Sequence, residues 1–334
     1  MASLPNARAK NTESEVLGMG LMGHGRRPSR IGRGNIRLNM DYRVLTLDGW
    51  LEFNHRKWGL SPLRLSLAEG PSDRPSIELV VYTDRRDRVK TPRLNPYTPV
   101  ALLPTDTHSV ARLERQWLSV SELVVKEFRA RGVVNAVSFP PSIMDVRPWR
   151  WSKFITEVRY TYYVTFPFDL GSAEGKVRTA VRKASKLGYK CERTSQMSDV
   201  MECLEGTQER QKIDYRLSIQ DLETCQRLLG SDVFRAYVCY APNGDPASTI
   251  VILGYPGATA VDWVAGTRPD HLSSGCSQLI TSFALGDVQD AGALGFDFAG
   301  ANVPSVAGSK AQWGGNLCRS IPLSNPTREP WRSS

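Results

Sequence analysis

Two residues near the end of the chain, Asp297 and Lys310, have types and spacing that could serve a transfer reaction. Asp297 stands in a short apolar run, Leu294 to Phe298, that predicts a buried strand, and Lys310 follows after a loop and a half-turn of small residues. An ammonium group can stabilise an oxyanion that exists only in a transition state. A buried carboxylate needs partners, so Asp297 could orient an amine or the Lys310 loop, or accept hydrogen bonds from backbone amides.

The segment that carries both residues, "GALGFDFAGANVPSVAGSKAQWGGNL", resembles the acyl-transferring part of the GNAT superfamily. It is most similar to the C-terminal half of the Fem-type transferases, which move aminoacyl groups from tRNA to an amine. One departure is Ser309, which stands where the Fem-type pattern has Phe before the lysine. Four more segments carry the resemblance in the same order: "LNPYTPV", "DVRPWRWSKFITEVRYTYYVTF", "FDLGSAEGKVRTAVRKASKLGYKCE" and "TQERQKIDYR".

The resemblance spans roughly residues 43 to 325 and implies a set of site residues. Lys310 would stabilise the oxyanion formed when an amine attacks the donor carbonyl, and Asp297 would assist it. Glycines in the loop would allow close backbone approach to the donor. The residues expected to bind substrate are Arg210, Tyr215, Trp263, Gly300, Trp313 and Gly314.

The net charge of +9 is concentrated in the first half of the chain. Residues 1–165 hold 26 Lys and Arg against 16 Asp and Glu, whereas residues 166–334 hold 17 against 18. A polyanionic partner such as tRNA would explain this excess, since phosphates attract basic residues and release counterions on binding. A basic surface kept for solubility is the alternative. The residues expected to bind tRNA are Arg85, Arg86, Arg88, Lys90, Lys183 and Lys186.

An acyl-coenzyme A donor is the competing interpretation on the same fold. GNAT enzymes bind the coenzyme A pyrophosphate on a Gln/Arg-x-x-Gly-x-Gly/Ala loop at a helix N-terminus. The corresponding stretch "HLSSGCSQ" has Leu272, Gly275 and Ser277 at the three motif positions, so the basic or amide residue is missing and one glycine remains. This loop favours aminoacyl-tRNA as the donor, and no cofactor is expected.

Several other functional classes have no support in the sequence. The six cysteines form no Cys-x-x-Cys and have no histidine at metal-ligand spacing, so we expect reduced thiols that fill the core and no metal. The metalloprotease, nucleophile-elbow and phosphate-loop motifs do not occur. No apolar run approaches the ~20 residues of a membrane helix, and the N-terminus does not read as a signal peptide, so we expect a cytoplasmic protein.

The periodicity of apolar residues predicts an α+β order of helices and strands. That order resembles two tandem GNAT-like domains, and the resemblance implies a mixed, mostly antiparallel sheet flanked by helices in each. We expect a disordered basic arm at 1–40, domains at 41–165 and 166–325, and a tail at 326–334. Among the predicted elements are a strand at Tyr42–Leu47, a helix beginning at Asp48 and a long amphipathic helix over Thr107–Gly132.

The function that these features favour is an aminoacyl-tRNA-dependent transferase that forms an amide on a small-molecule or precursor amine. Its product would belong to natural-product (antibiotic) or peptidoglycan-precursor biosynthesis. An acyl-coenzyme A-dependent N-acyltransferase is the first alternative, and a non-catalytic RNA-binding protein built on a degenerate GNAT pair is the second. The amino acid, the acceptor, the oligomeric state and the role of residues 1–40 are left open.

Overall fold

A computed structural model describes residues 40–69, 75–103, 105 and 107–325, which contain eight α-helices and twelve β-strands. The helices are α1 (Asp48–Trp58), α2 (Val110–Arg131), α3 (Arg147–Trp151), α4 (Gly175–Lys186), α5 (Met197–Gln211), α6 (Ile219–Leu229), α7 (Cys276–Asp290) and α8 (Pro304–Ala311). The strands are β1 (Ser61–Leu67), β2 (Ile77–Thr83), β3 (Val100–Leu102), β4 (Val137–Phe139), β5 (Ile155–Thr156), β6 (Arg159–Thr165), β7 (Lys190–Arg193), β8 (Phe234–Tyr240), β9 (Pro246–Leu253), β10 (Thr259–Thr267), β11 (Gly295–Asp297) and β12 (Asn316–Ser324).

The strands form two sheets. Strands β1, β2 and β3 make a three-stranded antiparallel sheet in that order. The other nine form one sheet in the order β4-β12-β6-β11-β10-β9-β8-β7, with β5 pairing onto β12. Strands β10 and β11 are parallel, whereas their other neighbours in this sheet pair antiparallel. The predicted α+β class with mostly antiparallel sheets is confirmed.

The nine-stranded sheet takes strands from both halves of the sequence. Strand β6 lies between β12 and β11, so it belongs to the sheet that the second half builds. The described residues all fall within one compact unit, and the division at 165/166 stays a prediction. The predicted tail and all of the predicted arm except Met40 lie outside the described residues.

The central strands of the nine-stranded sheet, β8 to β10, are buried on both faces, which is why they are apolar almost throughout. Along β10, Ala260 packs into a core with α4 and α7, whereas Val261 packs into a core with α1, α5 and α6. A third core joins α2 to the three-stranded sheet. The face with α4 and α7 also holds Phe298 and Trp313, so it is the face onto which the Lys310 segment folds.

Helices were predicted more accurately than the first strand. The helix predicted over Thr107–Gly132 is α2; its N-cap is Ser109, and Gly132 ends it. The strand predicted over Tyr42–Leu47 is wrong, since Arg43–Thr46 is a 3₁₀ turn. The Asp41 carboxylate accepts a hydrogen bond from the Arg43 amide at 2.9 Å, and such local bonds compete with strand pairing.

The cysteines are free thiols, and four of them (Cys203, Cys225, Cys239 and Cys276) are buried, as expected of core-filling residues. Among the described residues, no group of His, Cys, Asp and Glu has the geometry of a metal site. No helix in the described part of the chain has the length and apolarity needed to cross a membrane.

Candidate functional site

The site is an opening between two strands of the nine-stranded sheet. Strands β10 and β11 pair over three residues, Thr259–Val261 against Gly295–Asp297, while β10 continues to Thr267. Beyond this pairing the chain after Asp297 turns away from β10. We call the resulting opening the β10–β11 wedge; it is bounded by residues 262–267 on one side and 298–300 on the other.

Lys310 reaches into the β10–β11 wedge from α8. Its ammonium donates hydrogen bonds to the carbonyl oxygens of Phe298 and Gly300, the second at 2.8 Å. Its Nζ also lies 3.9 Å from Oδ2 of Asp262, and its side chain is 20% exposed. An ammonium has three N–H donors and two are taken by carbonyls, so the third can donate to a negative oxygen in the wedge.

Asp297 lies beneath the wedge and is completely buried. Its Oδ2 accepts hydrogen bonds from the hydroxyls of Tyr42 at 2.6 Å and Tyr97 at 3.0 Å. Its Oδ1 accepts from the Thr161 hydroxyl at 2.5 Å and the Ala299 amide at 2.7 Å. These four bonds satisfy the carboxylate within the protein, as a buried charge requires.

The bond from Ala299 links Asp297 to Lys310. Ala299 has φ 48° and Gly300 has φ 130°, so the backbone makes a tight turn that few L-residues adopt. Thr161 also accepts the Gly300 amide at 3.2 Å. This turn aims the two carbonyls that hold Lys310, which favours the role of orienting the Lys310 loop among those that the sequence left open for Asp297.

The tyrosines on Asp297 remain protonated donors over the ordinary pH range. Burial, and then the negative charge of Asp297, raise the pKa of Tyr42 and the pKa of Tyr97 well above their usual value. Tyr42 comes from the 3₁₀ segment and Tyr97 from the loop before β3. The first half of the chain therefore fixes the base of the wedge.

Asp262 is a candidate functional residue that sequence reasoning missed. Its side chain is 11% exposed at the point where β10 leaves β11. Burial raises the pKa of Asp262 to about 6, Lys310 acts to lower it, and Asp297 acts to raise it. At neutral pH the carboxylate is therefore mostly ionised and can take up a proton. The available signal was one acid in the otherwise uncharged strand "TAVDWVAGT".

Tyr215 and Arg210, both predicted to bind substrate, lie at the same end of the wedge. The Tyr215 hydroxyl donates to the carbonyl of Ala265 on β10 at 3.3 Å. Burial, and then Asp262, raise the pKa of Tyr215 to about 12, while Arg210 opposes them. Arg210 is exposed and donates to the Thr207 hydroxyl at 3.4 Å. Tyr215 therefore lies within electrostatic range of Asp262, and Arg210 within range of Tyr215.

Three other residues predicted to bind substrate, Trp263, Trp313 and Gly314, make contacts within the protein. Trp263 is 8% exposed, and its indole donates to the Leu94 carbonyl at 3.0 Å. Trp313 is buried in the core beside Phe298. A Cβ on Gly314 would lie 2.7 Å from the backbone oxygen of Ser172, so this glycine allows close contact with the loop that precedes α4. Contact of these residues with a substrate stays a prediction.

The residues predicted to bind tRNA fall into two separate groups. Arg85 and Arg86 are exposed in the turn after β2, where Arg88 pairs with Asp84 at 2.7 Å and Lys90 is half-buried. Lys183 and Lys186 lie on the exposed side of α4.

Helix α4 covers the N-terminus of α7, where the GNAT resemblance puts a coenzyme A pyrophosphate. Gly275 caps α7 with φ 89°, and a Cβ there would lie 2.3 Å from the Ala180 carbonyl oxygen of α4. Lys183 donates a hydrogen bond to the Ser273 carbonyl at 2.6 Å. Helix α4 therefore contacts the loop before α7 at Ser273 and Gly275.

A cavity of about 500 Å³ lies apart from the wedge, between the 3₁₀ segment and the three-stranded sheet. Its charged lining includes Arg43, which is hydrogen-bonded to Asp41, and Arg64, which pairs with Asp48 at 2.7 Å. Because these cations already have carboxylate partners, and because Lys310 and Asp262 do not line the cavity, we locate the candidate site at the wedge.

No family model matches the sequence, and no curated protein matches it either. Solved structures do match. A crystal structure of FemX is 13% identical with a TM-score of 0.60, over 84% of this chain and 92% of that chain. The C-terminal domain of a putative lysylphosphatidylglycerol synthetase from Agrobacterium fabrum is 10% identical with a TM-score of 0.54, over 86% and 89%. L-PGS from Bacillus licheniformis is 9% identical with a TM-score of 0.52, over 84% and 87%. The chain therefore has the GNAT-like fold of the Fem-type proteins, as its sequence resemblance predicts.

Proposed function

We propose that this protein is an aminoacyltransferase that takes an aminoacyl group from tRNA and forms an amide bond on an amine acceptor at the β10–β11 wedge. The observation that carries the proposal is the placement of Lys310 beside Asp262 in a wedge with little exposure. Its fold, shared with FemX and with a putative lysylphosphatidylglycerol synthetase, agrees with this chemistry.

The residues of the wedge can supply a proton acceptor for the amine and a hydrogen-bond donor for the oxyanion. An acceptor ammonium first loses a proton to the Asp262 carboxylate, and the neutral amine attacks the carbonyl of the aminoacyl ester. The third N–H of Lys310 donates to the resulting oxyanion. When the intermediate collapses, the C–N bond remains, the ester C–O bond breaks, and the ribose oxygen leaves with a proton that the attacking nitrogen releases. Stabilisation of an oxyanion by a positioned donor, here Lys310, is typically the largest single contribution to catalysis.

A cationic helix beside the wedge supports RNA as the donor. The apolar side of α4 packs into the same core as Phe298, and the Glu174 amide at its start donates to the Gln312 carbonyl at 2.8 Å, two residues after Lys310. No ion pair among the described residues involves the six cations of α4 and its exit. These are Lys176, Arg178, Arg182, Lys183, Lys186 and Lys190. Cations of one segment that have no carboxylate partner suit a phosphate backbone.

Two alternatives are less well supported. An acyl-coenzyme A donor would need the loop before α7, which lacks the basic or amide residue of the motif and is contacted by Ala180 and Lys183. A purely RNA-binding protein would not need Asp262 held close to Lys310 in a poorly exposed wedge, because burying a carboxylate has a cost in stability. We propose natural-product or peptidoglycan-precursor amines as the acceptor class on the Fem-type resemblance.

The proposal predicts salt-sensitive tRNA binding through α4. Raising salt from about 50 to 200 mM should weaken binding of uncharged tRNA by about 10²-fold, because several phosphate contacts release counterions. The double variant Lys183→Glu/Lys186→Glu should bind at least about 10-fold more weakly and show a shallower salt slope. Fluorescence anisotropy with labelled tRNA measures both.

A matched control for these variants lies on α2, where Arg112 and Lys126 are exposed. Arg112→Glu/Lys126→Glu makes the same change in net charge and should leave most of the affinity. Equal losses in the two double variants would mean that only net charge matters. A flat salt response in the wild-type protein would contradict tRNA binding.

A further inference from the structure

A second surface beside Lys310 combines exposed aromatic and aliphatic groups with a cation. Strands β6 and β12 pair antiparallel, so that Tyr162 lies opposite Leu317 and Tyr160 lies opposite Arg319. Residues directly opposite share a face with Cβ atoms about 4.5–5.5 Å apart, and residues two apart along a strand share that face as well. These four side chains therefore form one contiguous patch.

The patch lies on the same face of the sheet as Lys310. Tyr162 packs against the core that contains Phe298, and the Lys310 ammonium lies 5.7 Å from the centroid of the Phe298 ring. The backbone of Tyr160 is joined to the segment just after the Lys310 turn, since its carbonyl accepts from the Ala301 amide at 2.6 Å. Its amide donates to the Asn302 side chain at 2.8 Å. The patch is thus an extension of the wedge.

Exposure and charge set this patch apart. Tyr160 is 45% exposed, Leu317 is 58% exposed, and Val303, which caps α8, is 57% exposed. Arg319 is also exposed, and among the described residues it has no carboxylate partner. An exposed ring with a free guanidinium suits unpaired nucleotides, whose bases stack on aromatic side chains and whose phosphates bind arginine.

We infer that the patch formed by Tyr160, Tyr162, Leu317 and Arg319 binds the single-stranded 3′ end of the RNA donor. A terminal base stacks on Tyr160, and Arg319 contacts a phosphate. The inference rests on the proposed function, because the aminoacyl ester is carried by the terminal ribose. With that ester at Lys310, the last bases must lie on the surface next to the wedge, and the patch is directly adjacent to the turn that holds Lys310.

The test compares an intact uncharged tRNA with the same tRNA trimmed of its unpaired 3′ nucleotides. Base stacking on an aromatic ring contributes about 1–3 kcal/mol per base, or roughly 5- to 150-fold in affinity. Wild-type protein should bind the trimmed RNA at least about 5-fold more weakly. Tyr160→Ala should lose most of this difference, with the remainder due to Arg319, whereas Tyr160→Phe should keep it. Arg319→Ala should weaken binding of the intact RNA more than binding of the trimmed RNA.

Trp151 provides the matched control, because it is an exposed aromatic residue, 61% accessible, at the end of α3. The neighbouring β5 pairs with Leu323 and Ser324, which lie about 20 Å along β12 from Leu317 at the usual rise per residue. Trp151→Ala should discriminate the two RNAs as the wild type does.

Two results would overturn the inference in distinguishable ways. If the wild-type protein binds tRNA but Tyr160→Ala discriminates intact from trimmed RNA as strongly as the wild type, the patch assignment fails and the proposed function stands. If the wild-type protein binds no tRNA at all, the proposed function fails and the patch assignment fails with it. Tyr160 is half exposed, so its variants should fold; melting temperatures check this.

Discussion

Replacing Lys310 with alanine should lower kcat by about 10²–10³, because one donor to the oxyanion is lost. Substrate binding should change far less, since this contact exists only in the transition state. Lys310→Arg keeps the positive charge, so it should recover some of the rate. Recovery should be incomplete, because a planar guanidinium cannot occupy the ammonium's position between the Phe298 and Gly300 carbonyls. Steady-state kinetics with separate kcat and KM values measures the effect.

Lys57 is a matched control for Lys310. Its side chain is also 20% exposed, and its ammonium is held by Asp221 at 2.6 Å on the opposite core. Lys57→Ala removes a lysine of the same exposure that also holds an ion pair, and it should leave kcat unchanged. Turnover by Lys310→Ala at more than about a tenth of the wild-type rate would contradict the oxyanion role.

Asp262→Asn should lower kcat/KM by about 10²–10⁴, the usual contribution of a general base. The wild-type rate should rise with pH and level off above about 6, where the pKa of Asp262 lies, since only the ionised carboxylate accepts the proton. The asparagine variant should lose this rising limb. A pH profile of kcat/KM from pH 5 to 8 distinguishes this role from a structural one, which would leave the shape of the profile unchanged.

The same substitution should make the protein more stable at neutral pH. The folded-state pKa of about 6 lies above the ordinary 3.8, so the folded protein holds this proton more tightly than the unfolded chain. Wild-type stability should therefore fall as pH rises from about 4 to about 6, by a total of about 3 kcal/mol for a shift of this size. Asp262→Asn removes that penalty, and chemical denaturation at pH 4 and pH 8 measures most of it.

Asp221→Asn gives the opposite result and serves as the control. Burial acts to raise the pKa of Asp221, but hydrogen bonds from Lys57 and Ser218 outweigh it, so the pKa is lowered. A lowered carboxylate pKa contributes stability at neutral pH that is lost on acidification. Asp221→Asn should therefore destabilise the protein at pH 7 and leave turnover intact. A destabilising effect of Asp262→Asn at pH 8 would contradict its assignment.

Local signals in the sequence were enough to predict most of the elements. The period of apolar residues and a terminal glycine identified α2, and the apolar run around Asp297 identified β11. Strand β1 was missed although the leucines of "SPLRLSL" alternate with polar residues. Its proline is typical of an edge strand or a turn, and β1 is an edge strand. The strand predicted at Tyr42–Leu47 failed because the side-chain bond from Asp41 turns the backbone.

The site was only partly predictable, for a physical reason. Lys310 and Asp297 share one segment with recognisable spacing, so a resemblance could identify them. Asp262 lies far from Lys310 in the sequence, and its altered pKa arises from burial that only the fold creates. Trp263 was predicted to bind substrate, but the fold buries its side chain elsewhere. Its neighbour Asp262 points into the wedge, whereas the Trp263 indole packs edge-on to Trp50 in the opposite core.

The most direct test of the central claim is the choice of donor in a reconstituted reaction. Purified protein is mixed with a labelled aminoacyl-tRNA pool and a panel of amines that includes free amino acids and a peptidoglycan-precursor peptide, and amide formation is followed by mass spectrometry. The account predicts transfer to at least one amine, abolished by ribonuclease pretreatment and reduced about 10²-fold or more in Lys310→Ala. Full activity with an acyl-coenzyme A thioester in the absence of RNA would contradict it.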